Sequence, residues 1–120
     1  MAPWVLLVDD EADLRAALRE LLEFYGYRVE ETANGLEALE RMKNGNPLPS
    51  VALVDLMMPT LNGWELIEIM RTHDSLSRVP VVVLSAMPNE APEGVADVIG
   101  KPIDTAELLA VIARYCPRSR

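Results

Sequence analysis

The sequence is poor in the residues that build disulfide frameworks and His/Cys metal sites. Its 120 residues include one cysteine, Cys116, and one histidine. A single cysteine excludes an intrachain disulfide, and this usage suits a reducing compartment such as the cytosol. Zinc sites built from His and Cys ligands are excluded by count alone.

Long apolar runs and an excess of positive charge are also missing. No apolar run approaches the roughly 20 residues that a membrane-spanning helix needs. The amino terminus enters an apolar run without a basic segment or a small-residue cleavage site, so we expect no signal peptide and a cytoplasmic protein. There are 11 Lys and Arg against 19 Asp and Glu, a formal net charge of -8. We therefore expect no direct nucleic-acid binding, because phosphate contacts need Lys and Arg.

What the sequence contains is a regular alternation of short apolar runs and helical patterns. Half of the residues are hydrophobic, and the length fits one domain. Five runs are candidate strands, at residues 4–8, 27–33, 51–54, 81–84 and 96–100. All but the second are apolar on both faces, which is typical of a parallel sheet covered on both sides, whereas the polar second run suits an edge strand. The sequence predicts a three-layer α/β fold with a mostly parallel sheet.

Apolar residues at helical spacing predict four helices between and after these runs. Each helix is preceded by an Asp or Asn at the expected N-cap and an acid three residues later; the four caps are Asp10, Asn34, Asn62 and Asp104. Such a cap pairs an otherwise orphan amide and contributes about 1 kcal/mol. The acid also complements the positive end of the helix. Part of the negative charge is therefore expected to be architectural.

Reactive side chains follow the predicted strands. The first strand ends in Asp9 and Asp10, the third in Asp55 and the fourth in Ser85, and Lys101 follows the fifth. In such sheets ligands bind beyond the carboxyl ends of the strands. Carboxylates about 5 Å apart at an effective dielectric near 20 repel by roughly 3 kcal/mol per pair, and Mg²⁺ is a natural compensation. A carboxylate, Mg²⁺, a hydroxyl and a lysine are the groups that phosphoryl transfer needs.

The motifs that carry these residues resemble the receiver domain of two-component response regulators. The resemblance runs from "VLLVDDE" through "VALVDLMMPTLNGWEL" and "VVVLSA" to "GKPID", nearly the whole chain. It implies a doubly wound five-stranded parallel sheet in the order 2-1-3-4-5 between five helices. We expect residues 1–117 to form the receiver domain and residues 118–120 to be a tail or linker stump.

The resemblance also implies a role for each reactive residue. Asp55 would accept a phosphoryl group from a histidine kinase or phosphotransfer protein, and Ser85 and Lys101 would contact that group. Mg²⁺ would be held by Asp9, Asp10, Asp55 and the backbone carbonyl of Met57. The Lys101–Pro102 peptide bond resembles one that is cis in the family, which would aim the lysine into the cleft. The implied protein is a signalling switch that catalyses only its own phosphorylation and dephosphorylation, not a turnover enzyme.

The sequence departs from the family pattern before the lysine. Receivers usually carry a fourth helix here, but only residues 87–94 are available, and Pro92 inside a helix would cost about 3 kcal/mol. We predict at most one helical turn, with Val and Met side chains left partly exposed on the fourth and fifth strands as a possible partner site. The family also has a Tyr or Phe that moves inward on phosphorylation, at the position where this chain has the stiff side chain of Val98.

There are two alternatives to a phosphorylated switch. Val98 and the shortened segment favour a pseudo-receiver, an interaction module with little phosphorylation-driven switching. A phosphatase or phosphotransferase of the haloacid-dehalogenase type would need an Asp two residues after the nucleophile, where this chain has Met57.

Met57 and Met87 flank the expected acceptor, and we hypothesise that their bulk hinders an attacking water and prolongs the phosphoryl state.

Overall fold

A computed structural model describes residues 3–45 and 47–117. These residues form five parallel strands in the order β2-β1-β3-β4-β5. The strands are β1 (Val5–Val8), β2 (Val29–Thr32), β3 (Val51–Asp55), β4 (Val81–Ser85) and β5 (Asp97–Gly100). The helices are α1 (Ala12–Phe24), α2 (Gly35–Lys43), α3 (Gly63–Arg71) and α4 (Thr105–Tyr115). The predicted fold class and strand order are confirmed, and the tail predicted at residues 118–120 lies outside the described residues.

The central strands are buried on both faces, as their apolar sequences predict. Every residue of β1, β3 and β4 is buried, whereas the edge strands β2 and β5 each carry partly exposed residues. One core packs α2 and α3 against the sheet, and a second packs α1 and α4 against the other face. Within the described part of the chain, no helix is both long and apolar enough to cross a bilayer.

Three of the four predicted N-caps are present. The side chains of Asn34, Asn62 and Asp104 each accept a hydrogen bond from the backbone N–H three residues on. The prediction for α1 was wrong, because Glu11 rather than Asp10 occupies its N-cap position and makes no side-chain cap hydrogen bond. The Glu11 N–H instead donates to Oδ1 of the buried Asp9 at 2.8 Å. This tight turn ends the strand before the helix begins, so Asp10 is left outside the cap.

The connection between β4 and β5 holds one 3-10 turn, Pro88–Glu90, and no α-helix in residues 86–96, all of which the structure describes. The predicted loss of the fourth helix of receivers is confirmed. Met87 is exposed as predicted, but the expectation that β4 would be uncovered was wrong, since all of its residues are buried. Ala91, Val95 and the half-buried Val98 pack against the core on the α3 side.

Helix α3 helps to cover the place of the missing helix. At its start, the indole Nε1 of Trp64 donates to the carbonyl oxygen of Glu90 at 2.9 Å. At its end, the guanidinium of Arg71 donates to the carbonyl oxygen of Glu93. The connection is therefore fastened to α3 at both ends of the helix. Strand β4 stays covered although no regular helix follows it.

Candidate functional site

The sheet brings the predicted site residues to one edge. Asp9 directly follows β1, Asp55 and Ser85 are the last residues of β3 and β4, and Lys101 directly follows β5. Ser85 pairs with Gly100 in the parallel register. The Lys101 N–H donates to the carbonyl oxygen of Ser85 at 2.9 Å. The sheet itself therefore sets the hydroxyl residue and the lysine side by side.

Three carboxylates converge at this edge. Asp9, Glu11 and Asp55 each offer an oxygen that lies within 4.8 Å of the other two. Asp9 and Asp55 are buried, at 1% and 4% exposure, whereas Glu11 is exposed. At such separations the repulsion between ionised carboxylates is roughly 3 kcal/mol per pair at an effective dielectric near 20. A few hard oxygen ligands with room for retained water are a donor set that suits Mg²⁺.

Lys101 lies among the same carboxylates. Its Nζ is 3.2 Å from Asp9 Oδ2, 3.3 Å from Glu11 Oε1 and 3.5 Å from Asp55 Oδ2. The Lys101–Pro102 peptide bond is cis, as predicted. One ammonium group beside three carboxylates leaves the site negatively charged overall, so the lysine compensates only part of the repulsion.

Burial and neighbouring charges shift the pKa of both ionisable groups at the centre of the site. Burial and then the charge of Asp9 raise the pKa of Asp55, and Lys101 opposes this only in part. Burial would lower the pKa of Lys101, but the charges of Asp9 and Asp55, with hydrogen bonds to Asp9 and Glu11, raise it above its ordinary value. The lysine is thus held in its charged form, while ionised Asp55 lacks compensation that a cation would supply.

Backbone groups fix the two strand ends. The Met57 N–H donates to Asp55 Oδ1 at 3.2 Å, and the Met87 N–H donates to Ser85 Oγ at 2.9 Å. A Cβ added to Gly63 would lie 2.5 Å from the carbonyl oxygen of Asp55. Glycine at the first position of α3 therefore lets the helix start pack directly against the end of β3.

Asp10 is placed differently from its neighbour in the sequence. It is exposed, and with Met57 and Trp64 it lines a groove of about 350 Å³ beside the carboxylates. Its charge still reaches Asp55, whose pKa it raises after the stronger effects of burial and Asp9. The Mg²⁺ ligand set given in the sequence analysis, including the Met57 carbonyl, stays a prediction.

Sequence reasoning missed two residues of this edge, Glu11 and Arg15. Glu11 is the third acid of "DDE", and its place directly after the acidic pair was the available signal. The Arg15 Nη1 donates to the carbonyl oxygen of Asp9 at 2.6 Å, and its Nε donates to Glu31 at 3.1 Å. Arg15 therefore holds the backbone that carries the acidic pair, from one helical turn away.

Comparison with known families agrees with this geometry. The family described as the response regulator receiver domain matches residues 5–113. The chain belongs to this family. The matched range contains every residue that the sequence predicts for the site, from Asp9 to Lys101.

Relatives of this receiver domain include larger proteins. It is 38% identical to the transcriptional regulatory protein CpxR homolog of Haemophilus influenzae, over 96% of this chain and 51% of that protein. It is 30% identical to the sensor histidine kinase CheAY of Helicobacter pylori, over 92% of this chain and 14% of that protein. The chain therefore spans about half of the first relative and a small part of the second.

Solved receiver structures share its fold. The receiver domain of the sensor histidine kinase PA1611 from Pseudomonas aeruginosa is described with a magnesium ion coordinated in its active site cleft. It aligns with a TM-score of 0.85 at 26% identity, over 96% of this chain and 98% of that one.

Proposed function

We propose that this receiver domain accepts a phosphoryl group on Asp55 from a phosphohistidine of a histidine kinase or phosphotransfer protein. The observation that carries the proposal is the buried Asp55 carboxylate, which ends a central strand 3.5 Å from the Lys101 ammonium. An oxygen of Asp55 would attack phosphorus as the P–N bond of the donor breaks and the imidazole nitrogen takes the electron pair. The product would be an aspartyl phosphate at the sheet edge.

Lys101 and Ser85 would act on the transferred group. The charge of Lys101, held by neighbouring carboxylates that raise its pKa, would neutralise a phosphoryl oxygen. The Ser85 Oγ accepts a hydrogen bond from the Met87 N–H, so its own proton is available to donate to the phosphoryl group. Both residues would therefore stabilise the negative charge that arrives on Asp55.

Carboxylates of this edge would hold Mg²⁺. Asp9 and Asp55 are the buried members, Asp10 and Glu11 are the exposed acids beside them, and the Met57 carbonyl is the further ligand implied by the family resemblance. Bound Mg²⁺ would neutralise charge on the transferring phosphoryl oxygens. The convergence of Asp9, Glu11 and Asp55, whose oxygens lie within 4.8 Å of one another, supports a cation here because a cation would offset their repulsion.

The role we propose is a signalling switch rather than a turnover enzyme. The phosphoryl group would stay on the protein until water removes it, and the phosphorylated form would act on an output partner. We propose residues 1–117 as the receiver unit, which the family match over residues 5–113 supports. The single free and buried Cys116 supports a reducing compartment, and we propose the cytoplasm.

Incubation with a small acyl phosphate and Mg²⁺ tests this function. Intact mass should show one added phosphoryl group on the parent chain and none on Asp55→Asn. Asp74→Asn, which removes an exposed acid after α3, is the matched control and should be modified like the parent.

Mg²⁺ at about 100 times its dissociation constant should add roughly 2.7 kcal/mol to the unfolding free energy. Mg²⁺ binding without any phosphorylation would favour the pseudo-receiver alternative.

A further inference from the structure

One chain of contacts joins the acceptor edge to the surface of α3. It begins at Ser85, whose Oγ accepts the Met87 N–H at 2.9 Å. The next three residues form the 3-10 turn Pro88–Glu90. The carbonyl oxygen of Glu90 then accepts the indole N–H of Trp64 at 2.9 Å. Ser85 and Trp64 are therefore linked by one short turn and a hydrogen bond at each of its ends.

Two backbone hydrogen bonds and a proline hold the turn together as one unit. Pro88 fixes its own φ at the first position. The Glu90 N–H donates to the Met87 carbonyl at 3.0 Å, and the Ala91 N–H donates to the Pro88 carbonyl at 3.2 Å. Residues 86–90 are all exposed, and none of them belongs to either hydrophobic core. A shift of the Ser85 hydroxyl can therefore be passed to Glu90.

Trp64 is the aromatic side chain placed to receive that shift. Among the described aromatic residues, Trp64 and Tyr115 donate hydrogen bonds to the β4–β5 connection. Tyr115 reaches the carbonyl of Ala96, just before β5 and at the opposite edge of the sheet from the carboxylates. Val98 on β5 has no ring. The contact that lies at the acceptor edge is the one made by Trp64.

We propose that Trp64 is the residue through which the phosphoryl state of Asp55 reaches the protein surface. The inference rests on the proposed phosphorylation of Asp55. When the Ser85 hydroxyl turns towards the phosphoryl group, Met87 follows through its hydrogen bond. The turn moves with it, and the bond between Glu90 and Trp64 changes. The surface that differs between the two states is the start of α3 together with the turn, not the face of β5 that carries Val98.

A single-tryptophan variant tests this coupling. The chain has two tryptophans, so Trp4→Phe leaves Trp64 as the only source of tryptophan emission. With an acyl phosphate and Mg²⁺, intact mass gives the phosphorylated fraction and emission gives the state of Trp64 in the same sample. We expect the emission change to follow the phosphorylated fraction. Adding Ser85→Ala should abolish the change per phosphoryl group, and Ser85→Thr, which keeps the hydroxyl, should restore it.

Each outcome separates this inference from the proposed function. Full phosphorylation of Asp55 with unchanged Trp64 emission overturns the inference and leaves the proposed function standing. An emission change that persists in the phosphorylated Ser85→Ala chain overturns it too. Absence of phosphorylation overturns the proposed function and the inference with it. If Trp4→Phe does not fold, fluorine NMR of the wild-type chain labelled with fluorotryptophan resolves both indoles and gives the same readout.

Amide exchange tests the same link without phosphorylation. Trp64→Phe keeps a ring but removes the N–H that binds Glu90. The backbone amides of Glu90 and Ala91 should then exchange about fivefold faster, the factor expected for one lost hydrogen bond. Tyr115→Phe, which removes the hydroxyl that donates to the Ala96 carbonyl, is the control and should leave these amides unchanged. Equal exchange in both variants overturns the inference.

Discussion

Two connections leave the same edge of the sheet and are held in opposite ways. The one between β3 and α3 ends in a capping box at Asn62 and in Gly63, whose backbone touches the end of β3. The one between β4 and β5 has one exposed 3-10 turn and is held by hydrogen bonds from the side chains of Trp64 and Arg71. Backbone packing fixes Asp55, whereas surface hydrogen bonds hold the segment that we propose responds to its phosphorylation.

Alanine at the glycine that opens α3 and at the glycine that ends β5 should give the largest contrast in stability. In Gly63→Ala the new Cβ would lie 2.5 Å from the Asp55 carbonyl oxygen and 2.7 Å from the Leu56 Cα, and backbone atoms cannot rotate away. We expect a loss of about 3 kcal/mol in the unfolding free energy. In Gly100→Ala the nearest atom is Pro88 Cγ at 3.8 Å, so the change should stay within about 0.5 kcal/mol. Urea unfolding measures both, and equal losses would contradict the comparison.

The two exposed methionines should differ in their effect on the phosphoryl lifetime. Met57 is 57% exposed and Met87 is 41% exposed. The Met57 N–H is bonded to Asp55, so Met57 keeps a fixed position beside the acceptor. We expect Met57→Asn to speed dephosphorylation about tenfold, or about 1.4 kcal/mol of barrier, because a smaller polar side chain admits water.

Met87→Asn, in the β4–β5 connection, is the control and should have a smaller effect on the dephosphorylation rate. The decay of the phosphorylated fraction, followed by intact mass after removal of the donor, measures both variants. Equal decay rates in Met57→Asn and the parent chain would sink the idea that the methionine shields the aspartyl phosphate.

Replacing one asparagine in each connection should give a smaller difference in unfolding free energy. Asn62→Ala deletes the acceptor of the Glu65 N–H and breaks the capping box. We expect a loss of about 1 kcal/mol. Asn89→Ala, in the exposed 3-10 turn, should change the unfolding free energy by less than about 0.5 kcal/mol. Thermal unfolding of the two variants checks this prediction. A larger loss of stability in Asn89→Ala than in Asn62→Ala would contradict the comparison of the two connections.

The smallest contrast concerns the pH dependence of the two strand ends. Burial and Asp9 raise the pKa of Asp55, so this carboxyl contributes stability below its unfolded pKa and loses it as the pH rises through its folded pKa. Without Mg²⁺, Asp55→Asn should therefore be more stable than the parent at neutral pH. The advantage should shrink as the pH falls towards about 4, the ordinary value for Asp.

Ser85→Ala should instead lower stability at every pH, because the Met87 N–H loses its acceptor and no titrating group is removed. Melting temperatures of the three proteins across this pH range make the measurement. A stability gain in Asp55→Asn that is the same at low and neutral pH would contradict the electrostatic explanation.

The positions of Asp55, Ser85 and Lys101 could be predicted because parallel strands carry their carboxyl ends to one edge. The absence of a helix between β4 and β5 could be predicted as well, since the position of Pro92 is a local steric property. The start of α1 could not, because "DDE" offers three acids in a row. The burial of Asp9 and the hydrogen bond that its carbonyl accepts from Arg15 determine which of the three acids stands at the start of the helix.

The contacts between α3 and the β4–β5 connection could not be predicted from the sequence either. The contact between Trp64 and Glu90 joins residues 26 positions apart, and no local spacing relates them. The same holds for Glu11, whose approach to Asp55 depends on how the chain turns after β1. Periodicity predicted the elements, and the missed contacts are those between the ends of different elements.

The hydrogen bond from the Lys101 N–H to the Ser85 carbonyl makes the β4–β5 connection a site where an insertion should be tolerated. The ladder between the strands, rather than the segment that joins them, keeps the two residues together. Each doubling of a flexible loop costs only about 0.6 kcal/mol in closure entropy. A peptide inserted between Pro92 and Glu93 should therefore leave the acceptor edge assembled, so a reporter sequence or a sensor module can be grafted there.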